Sequence, residues 1–273
     1  MTLTINTNIA ATRASKYLAA NHQNLQKSLD RLSSGKRIAS PSDDAGGLAV
    51  SMKLQNSIFG LKGAASNISN AISLLQVQDG ILESAGQIVS RMGELKSMYS
   101  DVTKNSTDQA NYDSEYQSLI GQLQSMSSAD FNGVTLFKTA DSTLTIDSGG
   151  GSTIGITQQG FASEINAATS VDIVDTGAAQ VLSGNTAAQF SAALDAVAAM
   201  RAANGGETKR LQYALADVNT QITNLTAANG RIMDVDVAAE SAALARYQIL
   251  VQASAAMVAQ ANSANNVALT LLQ

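Results

Sequence analysis

Apolar residues recur every seven positions at both ends of the chain. Near the start Ala11, Leu18, Leu25 and Leu32 keep that spacing, with Leu29 at the partner position. At the other end Val237, Leu244, Val251, Val258 and Leu272 share one register, interrupted only by Asn265. A seven-residue repeat holds one face of an α-helix against a partner helix, the pattern of a coiled coil. Two such segments at opposite ends of one chain predict that they pair with each other. Both seams are weak, because Ser15, His22, Ser254 and Asn265 occupy or neighbour core positions. Isolated helices of this quality are marginal in water. Full order is therefore expected only when neighbouring copies pack against them.

Ser33-Ser34-Gly35-Lys36 reads as a helix stop, and Pro41-Ser42-Asp43-Asp44 as the next start, with Ser42 or Asp43 as the cap. From there Leu54, Ile58, Leu61, Ala65, Ile68, Ile72 and Leu75 alternate at helical spacing. After Asp79-Gly80 the stripe shifts by a step and resumes as Ile81, Ala85, Ile88, Met92, Leu95 and Tyr99. A helix over 44–100 would be roughly 85 Å long at the usual rise per residue, which predicts a rod. A further helix follows Lys104-Asn105-Ser106, with Tyr112, Tyr116, Leu119, Leu123 and Met126 on its stripe. The texture changes at Phe131-Asn132-Gly133. Alternating runs at 143–146 and 153–157, flanking Gly149-Gly150-Gly151, read as hairpin strands. Helical spacing returns with Phe190, Leu194 and Val197 and weakens at Gly205-Gly206. It resumes as Leu211, Leu215, Val218, Ile222 and Leu225. The predicted fold is mainly α: an elongated rod of long antiparallel helices, terminal coiled-coil helices and a small β-hairpin region.

Composition sharpens this picture. Hydrophobic residues make up 45% of the 273 positions but aromatics only 4%, with no Trp. The apolar content is mostly Ala, Leu, Ile and Val, which suits close helix packing better than a pocketed enzyme interior. Charged residues are 14%, against about 25% in a typical soluble protein. Uncharged polar surface offers little repulsion between copies and favours self-association. The net charge of −5 and the scatter of basic residues argue against nucleic acid as a partner. Without cysteine there is neither a disulfide framework nor a thiolate zinc site. The first residues lack the basic and apolar regions of a secretory signal, so export without a cleaved leader is expected. No apolar run is long enough to span a bilayer.

Candidate chemistry is sparse. His22 is the single histidine, which rules out two-histidine zinc sites and suits packing or solvation on the seam. Asp43-Asp44 has the form of paired carboxylates, but a helix cap accounts for it more simply. Asp234 and Asp236 look like helix-start acids. The glycine clusters fit no phosphate-binding or dinucleotide pattern. No catalytic residue, cofactor or metal is expected, and the chain reads as a non-enzyme.

Ile5-Asn6-Thr7-Asn8 and the segment Arg31-Leu32-Ser33-Ser34-Gly35-Lys36-Arg37-Ile38 resemble bacterial flagellins. So does Asp43-Asp44-Ala45-Gly46-Gly47-Leu48-Ala49-Val50-Ser51, and Phe131-Asn132-Gly133 is similar to the motif closing the family's second helix. Arg231–Glu240, Ala256–Asn262 and the final Leu271-Leu272-Gln273 resemble its C-terminal signature. The likeness covers about 1–137 and 185–273, and implies a secreted structural subunit that self-assembles into the flagellar filament for motility. It further implies an inner coiled-coil domain from 1–42 with 232–273, whose seam residues drive polymerisation. A helical domain over 43–231 would carry a small β-rich insertion at about 131–184, with little or no outer domain. Implied partners are other flagellin subunits, a cap protein, hook-associated junction proteins, a type III export chaperone holding about 232–273, and an innate immune receptor. Arg91, Leu95 and Glu115 match the receptor patch, with Gly93 in place of an Arg often found there. The alternatives are a hook–filament junction protein of the same superfamily and a soluble helical binding module. The first generally lacks the full Arg-Leu-Ser-Ser-Gly segment. The second leaves the two terminal repeats without a purpose.

Overall fold

The computed structural model describes residues 8–138, 141–145, 153–157, 160–169 and 181–270. These form six α-helices: α1 (Ile9–Ser34), α2 (Ala45–Tyr99), α3 (Ser106–Ser127), α4 (Phe161–Thr169), α5 (Ala187–Met233) and α6 (Val237–Thr270). Strands β1 (Asp130–Phe131) and β2 (Val134–Thr135) make one antiparallel hairpin, β3 (Ser142–Thr145) and β4 (Thr153–Ile156) another. The mainly α fold with a small hairpin region is the one the periodicity predicts. Ile146, Gly149-Gly150-Gly151 and Leu272 lie outside the described residues.

Helix ends follow from local side chains. Asn8 caps α1 by accepting from Ala11 N at 2.9 Å, and Gly35, at φ 69°, closes it in the left-handed conformation that glycine adopts without strain. Asp44, rather than Ser42 or Asp43, caps α2: its Oδ1 accepts from Gly47 N at 2.8 Å, leaving Asp43 free for the loop. Asn105 and Asp108 form a reciprocal capping box at α3. Asp236 Oδ1 accepts from Ala238 N and Ala239 N at the start of α6, bonds worth about 1 kcal/mol together.

The chain divides into two compact units, residues 1–56 with 224–273 and residues 57–223. The boundaries fall inside α2 and α5, further in than 42/43 and 231/232, because the first turns of α2 belong with the end of α5. Ser51 Oγ donates to Asn229 Oδ1 at 2.7 Å, and Ile38, Ser51 and Met233 are all buried.

In the 57–223 unit α2 buries two interleaved seven-residue series. Leu61, Ile68, Leu75, Leu82 and Val89 form one; Ala64, Ala71, Gln78, Ala85 and Met92 form the other. The expected step at Asp79-Gly80 is absent. Small and polar members of the second series hide a register that runs straight through. On α5, Phe190, Val197, Asn204, Leu211 and Val218 are buried at the same spacing, and Gly205-Gly206 do not interrupt the helix. The two helices run antiparallel. Asn204 meets Leu75, Arg201 meets Asp79, and a methyl group on Gly93 would lie 3.5 Å from Phe190 Cβ. Helix α3 adds Tyr116, Ile120 and Leu123 to this core, with the Tyr116 ring edge-on to Phe190. Burial, with Asp113 nearby, raises the Tyr116 phenol above its ordinary pKa, and its oxygen accepts from Asn185 Nδ2 at 2.7 Å. Asn132 and Gly133, both at positive φ, make the two-residue turn of the first hairpin. That turn delivers Leu136 and Phe137 to the core, where Phe137 packs on Phe161 of α4. The periodicity did not reveal α4. It is nine residues long and buries Phe161 and Ile165, one turn apart.

Candidate assembly interface

Helices α1 and α6 pair antiparallel within the first unit. Asn8 Nδ2 donates to Ala261 O at 2.8 Å, Asn21 Nδ2 to Ser254 Oγ at 2.8 Å, and Arg31 lies 3.6 Å from Glu240. Apolar members of the seam lie between these polar links. Ala11, Leu18, Leu25 and Leu32 on α1 and Leu244, Val251 and Val258 on α6 are half-buried. Two expected members are placed elsewhere. Leu29 is 47% exposed, because Ala14, Asn21 and Ser28 occupy the second series on α1. Val237 is 61% exposed: it is the first residue of α6, where the Arg31–Glu240 pair closes the seam. His22 is exposed beside Asn21. Outside the seam the pair carries Ile9, Tyr17, Ile249 and Met257, each at least 60% exposed, with Tyr17 and Met257 lining one groove between the two helices. The pair thus buries one seam and leaves large apolar side chains outside it exposed.

A backbone latch sits at the end of the seam. Lys36 bridges Asp234, Arg37 N donates to Met233 O at 2.6 Å, and Val235 N donates to Gly35 O at 3.1 Å. The Arg37 guanidinium adds bonds to Ile232 O from Nε at 3.2 Å and Nη2 at 2.7 Å. Asp43 gathers the loop: its Oδ2 accepts from Ala39 N and Ser40 N, and its Oδ1 lies 2.5 Å from Lys27 Nζ. The Lys27 hydrogen bond, aided by the two backbone donors, holds the Asp43 carboxyl below its ordinary value of 3.8. A depressed carboxylate stabilises the fold above its unfolded pKa, and that contribution disappears as pH falls through the lower folded value. Hydrogen exchange at the Ala39 and Ser40 amides, corrected for intrinsic rate, is therefore expected to be pH-independent above about pH 4. It accelerates at lower pH. In Asp43→Asn the acid-dependent step disappears, and a step of unchanged size in that variant would assign it to another group.

Of the residues matched to a receptor patch, the structure leaves two on the surface. Arg91 Nε bonds Glu115 Oε1 at 2.8 Å and Arg91 Nη1 bonds Glu94 Oε2 at 3.0 Å, all three side chains exposed. Leu95 is fully buried, part of the same core as Tyr116 and Leu123. Four residues, one helical turn, separate it from Arg91, but it continues the Leu61–Met92 inward face. Among the described residues no group of acidic residues and histidine could hold a metal ion, and no helix is long and apolar enough to cross a membrane.

The two paired ends match known sequence families. The bacterial flagellin N-terminal helical region matches residues 5–142, and the bacterial flagellin C-terminal helical region matches residues 188–272. The chain belongs to the bacterial flagellins. A flagellin of Halalkalibacterium halodurans is 34% identical, over 98% of this chain and 99% of the relative. The flagellar filament 33 kDa core protein of Treponema phagedenis is 31% identical over the same shares. A crystal structure of Bacillus cereus flagellin overlaps with a TM-score of 0.46 at 26% identity, covering 60% of this chain and 94% of that one. This flagellin is a structural subunit of the extracellular flagellar filament, which its subunits build by polymerising for motility. The two family regions leave only 143–187 between them, so it has no large outer domain.

Proposed function

We propose that the α1–α6 pair is the element that polymerises this flagellin, and that the 57–223 unit makes the remaining contacts between subunits. The observation carrying this reading is the set of large apolar side chains that the pair leaves exposed. Ile9, Tyr17, Ile249 and Met257 stay exposed in the subunit although their helices already bury one seam. Scattered exposed apolar residues are ordinary, but large ones on the outside of a weak coiled coil gain from burial against a neighbouring copy. Before assembly the exposed apolar side chains of α6 suit an export chaperone holding about 232–273. At the growing end and at the base, a cap protein and hook-associated junction proteins would meet the pair. Contact with an innate immune receptor would fall to Arg91 and Glu115, without the apolar contribution of Leu95. The role is structural rather than catalytic.

Seeded polymerisation of the purified chain tests this, followed by light scattering and negative-stain electron microscopy beside a version lacking 232–273. The full chain is expected to grow long filaments and gain helicity as it does so, and the truncated chain to do neither. Filament growth by the truncated chain would remove the terminal pair from the mechanism.

A further inference from the structure

One layer of the α2–α5 seam is polar. Gln78 interrupts the series Ala64, Ala71, Ala85, Met92 on α2, and Asn204 interrupts Phe190, Val197, Leu211, Val218 on α5; each is only 7% exposed. Gln78 Nε2 donates to Leu136 O at 3.2 Å, and Asn204 Nδ2 donates to Leu75 O at 2.8 Å. The second bond fixes which way the Asn204 amide points, because reversing it would bring two carbonyl oxygens together. Asn204 Oδ1 is consequently buried, and no described residue donates to it. Asn204 also lines a cavity of about 20 Å³. Leu75, Leu82 and Phe137 give it apolar walls, and Gln78, Thr157 and Asn204 line it with polar groups. An opening of about 10–15 Å³ on this measure admits one water molecule, provided that polar partners surround it. Both conditions are met here.

We propose that this cavity binds a single structural water that donates to Asn204 Oδ1, and that the hydrated layer fixes the register of α5 against α2. Coiled-coil seams are degenerate to seven-residue slips, since each apolar layer resembles the next. A buried amide breaks that degeneracy, because only one register supplies its partners. Slipping α5 by one heptad sets Asn204 beside Ile68 or Leu82 and takes it from the cavity. The rim of the same layer adds a clamp, with Arg201 on Asp79 at 3.0 and 3.2 Å and on Glu83 at 3.2 Å.

Two measurements on the full chain test the two halves. A high-resolution structure of the wild-type filament or monomer is expected to show one ordered water within about 3.2 Å of Asn204 Oδ1. An empty cavity, a reversed amide, or a protein donor on Oδ1 overturns the site. Oxygen-17 relaxation dispersion is expected to count one fewer long-lived water in Asn204→Leu than in wild type, and equal counts speak against it. For the register, spin labels on the exposed faces of α2 and α5 report one narrow distance in wild type. In the double variant Gln78→Leu, Asn204→Leu a second population is expected about 10 Å away, one heptad of helical rise. A single unshifted distance in a folded double variant overturns the register role, and failure of that variant to fold at all does the same, since an apolar layer preserves packing.

Discussion

Leu18→Asp is expected to abolish filament growth while the 57–223 unit remains folded. The Asn8–Ala261 and Asn21–Ser254 links set an antiparallel register that lays Leu18 against the half-buried seam face of α6 that carries Val251 and Val258. A carboxylate there is partly desolvated against an aliphatic neighbour, at a cost of several kcal/mol unless it is paired. The apolar contribution of the leucine, about 1.5 kcal/mol or more when well buried, disappears as well. Helices that are marginal alone cannot absorb that loss. With about 1.4 kcal/mol per factor of ten, the concentration needed for growth rises about a hundredfold or more. Adding Val251→Lys supplies the missing partner and is expected to restore growth in part. Rescue by lysine at 251, and none by lysine at the exposed 249, ties the effect to the seam. Growth of the single variant at the wild-type concentration would exclude the seam from assembly.

Leu95→Ala is expected to destabilise the 57–223 unit by about 3 kcal/mol, the usual cost of emptying a fully enclosed leucine site. For a unit of this size that corresponds to a fall of roughly 6–12 °C in melting temperature. Leu95 has no exposed surface and packs within the core formed by α2, α3 and α5. Arg91→Ala, one turn away, removes two exposed ion pairs and is expected to cost less than about 1 kcal/mol, falling further with added salt. Differential scanning calorimetry of the two variants separates the readings. Equal, small effects would return Leu95 to the surface and restore the patch as the resemblance drew it.

The long helices were legible because their apolar residues repeat, and so was the pairing of the two ends. Misplacements arose where polar or small residues hold core positions. Leu29 attracts attention as a leucine, yet Asn21 and Ser28 occupy the inner positions of α1, with Asn21 bonded across the seam to Ser254. Hydrophobicity cannot reveal a core position filled by an amide with a partner more than two hundred residues away. The same blindness produced the apparent step in α2, where Ala64, Ala71 and Gln78 conceal a continuous series. The apolar spacing weakens at Gly205-Gly206, but the packed neighbours of α5 carry the helix across about 2 kcal/mol of unfavourable propensity. Of Asp43 and Asp44, either residue type can cap. Which one does so depends on Lys27 and on the amides of Ala39 and Ser40, contacts made only after folding.

The polar breaks in the α1–α6 seam also bear on which helix pairs with which. In a crowd of identical subunits α1 could meet a second α1, or α6 a second α6. A pair of α1 helices would leave Arg31 without Glu240, and a pair of α6 helices would strand Glu240 without Arg31. Asn8 and Asn21 would likewise lose Ala261 O and Ser254. Each like-with-like union strands a charge or an amide that the unlike union satisfies. The residues that make the seam weak therefore make it selective for α1 with α6 over either helix with its own kind.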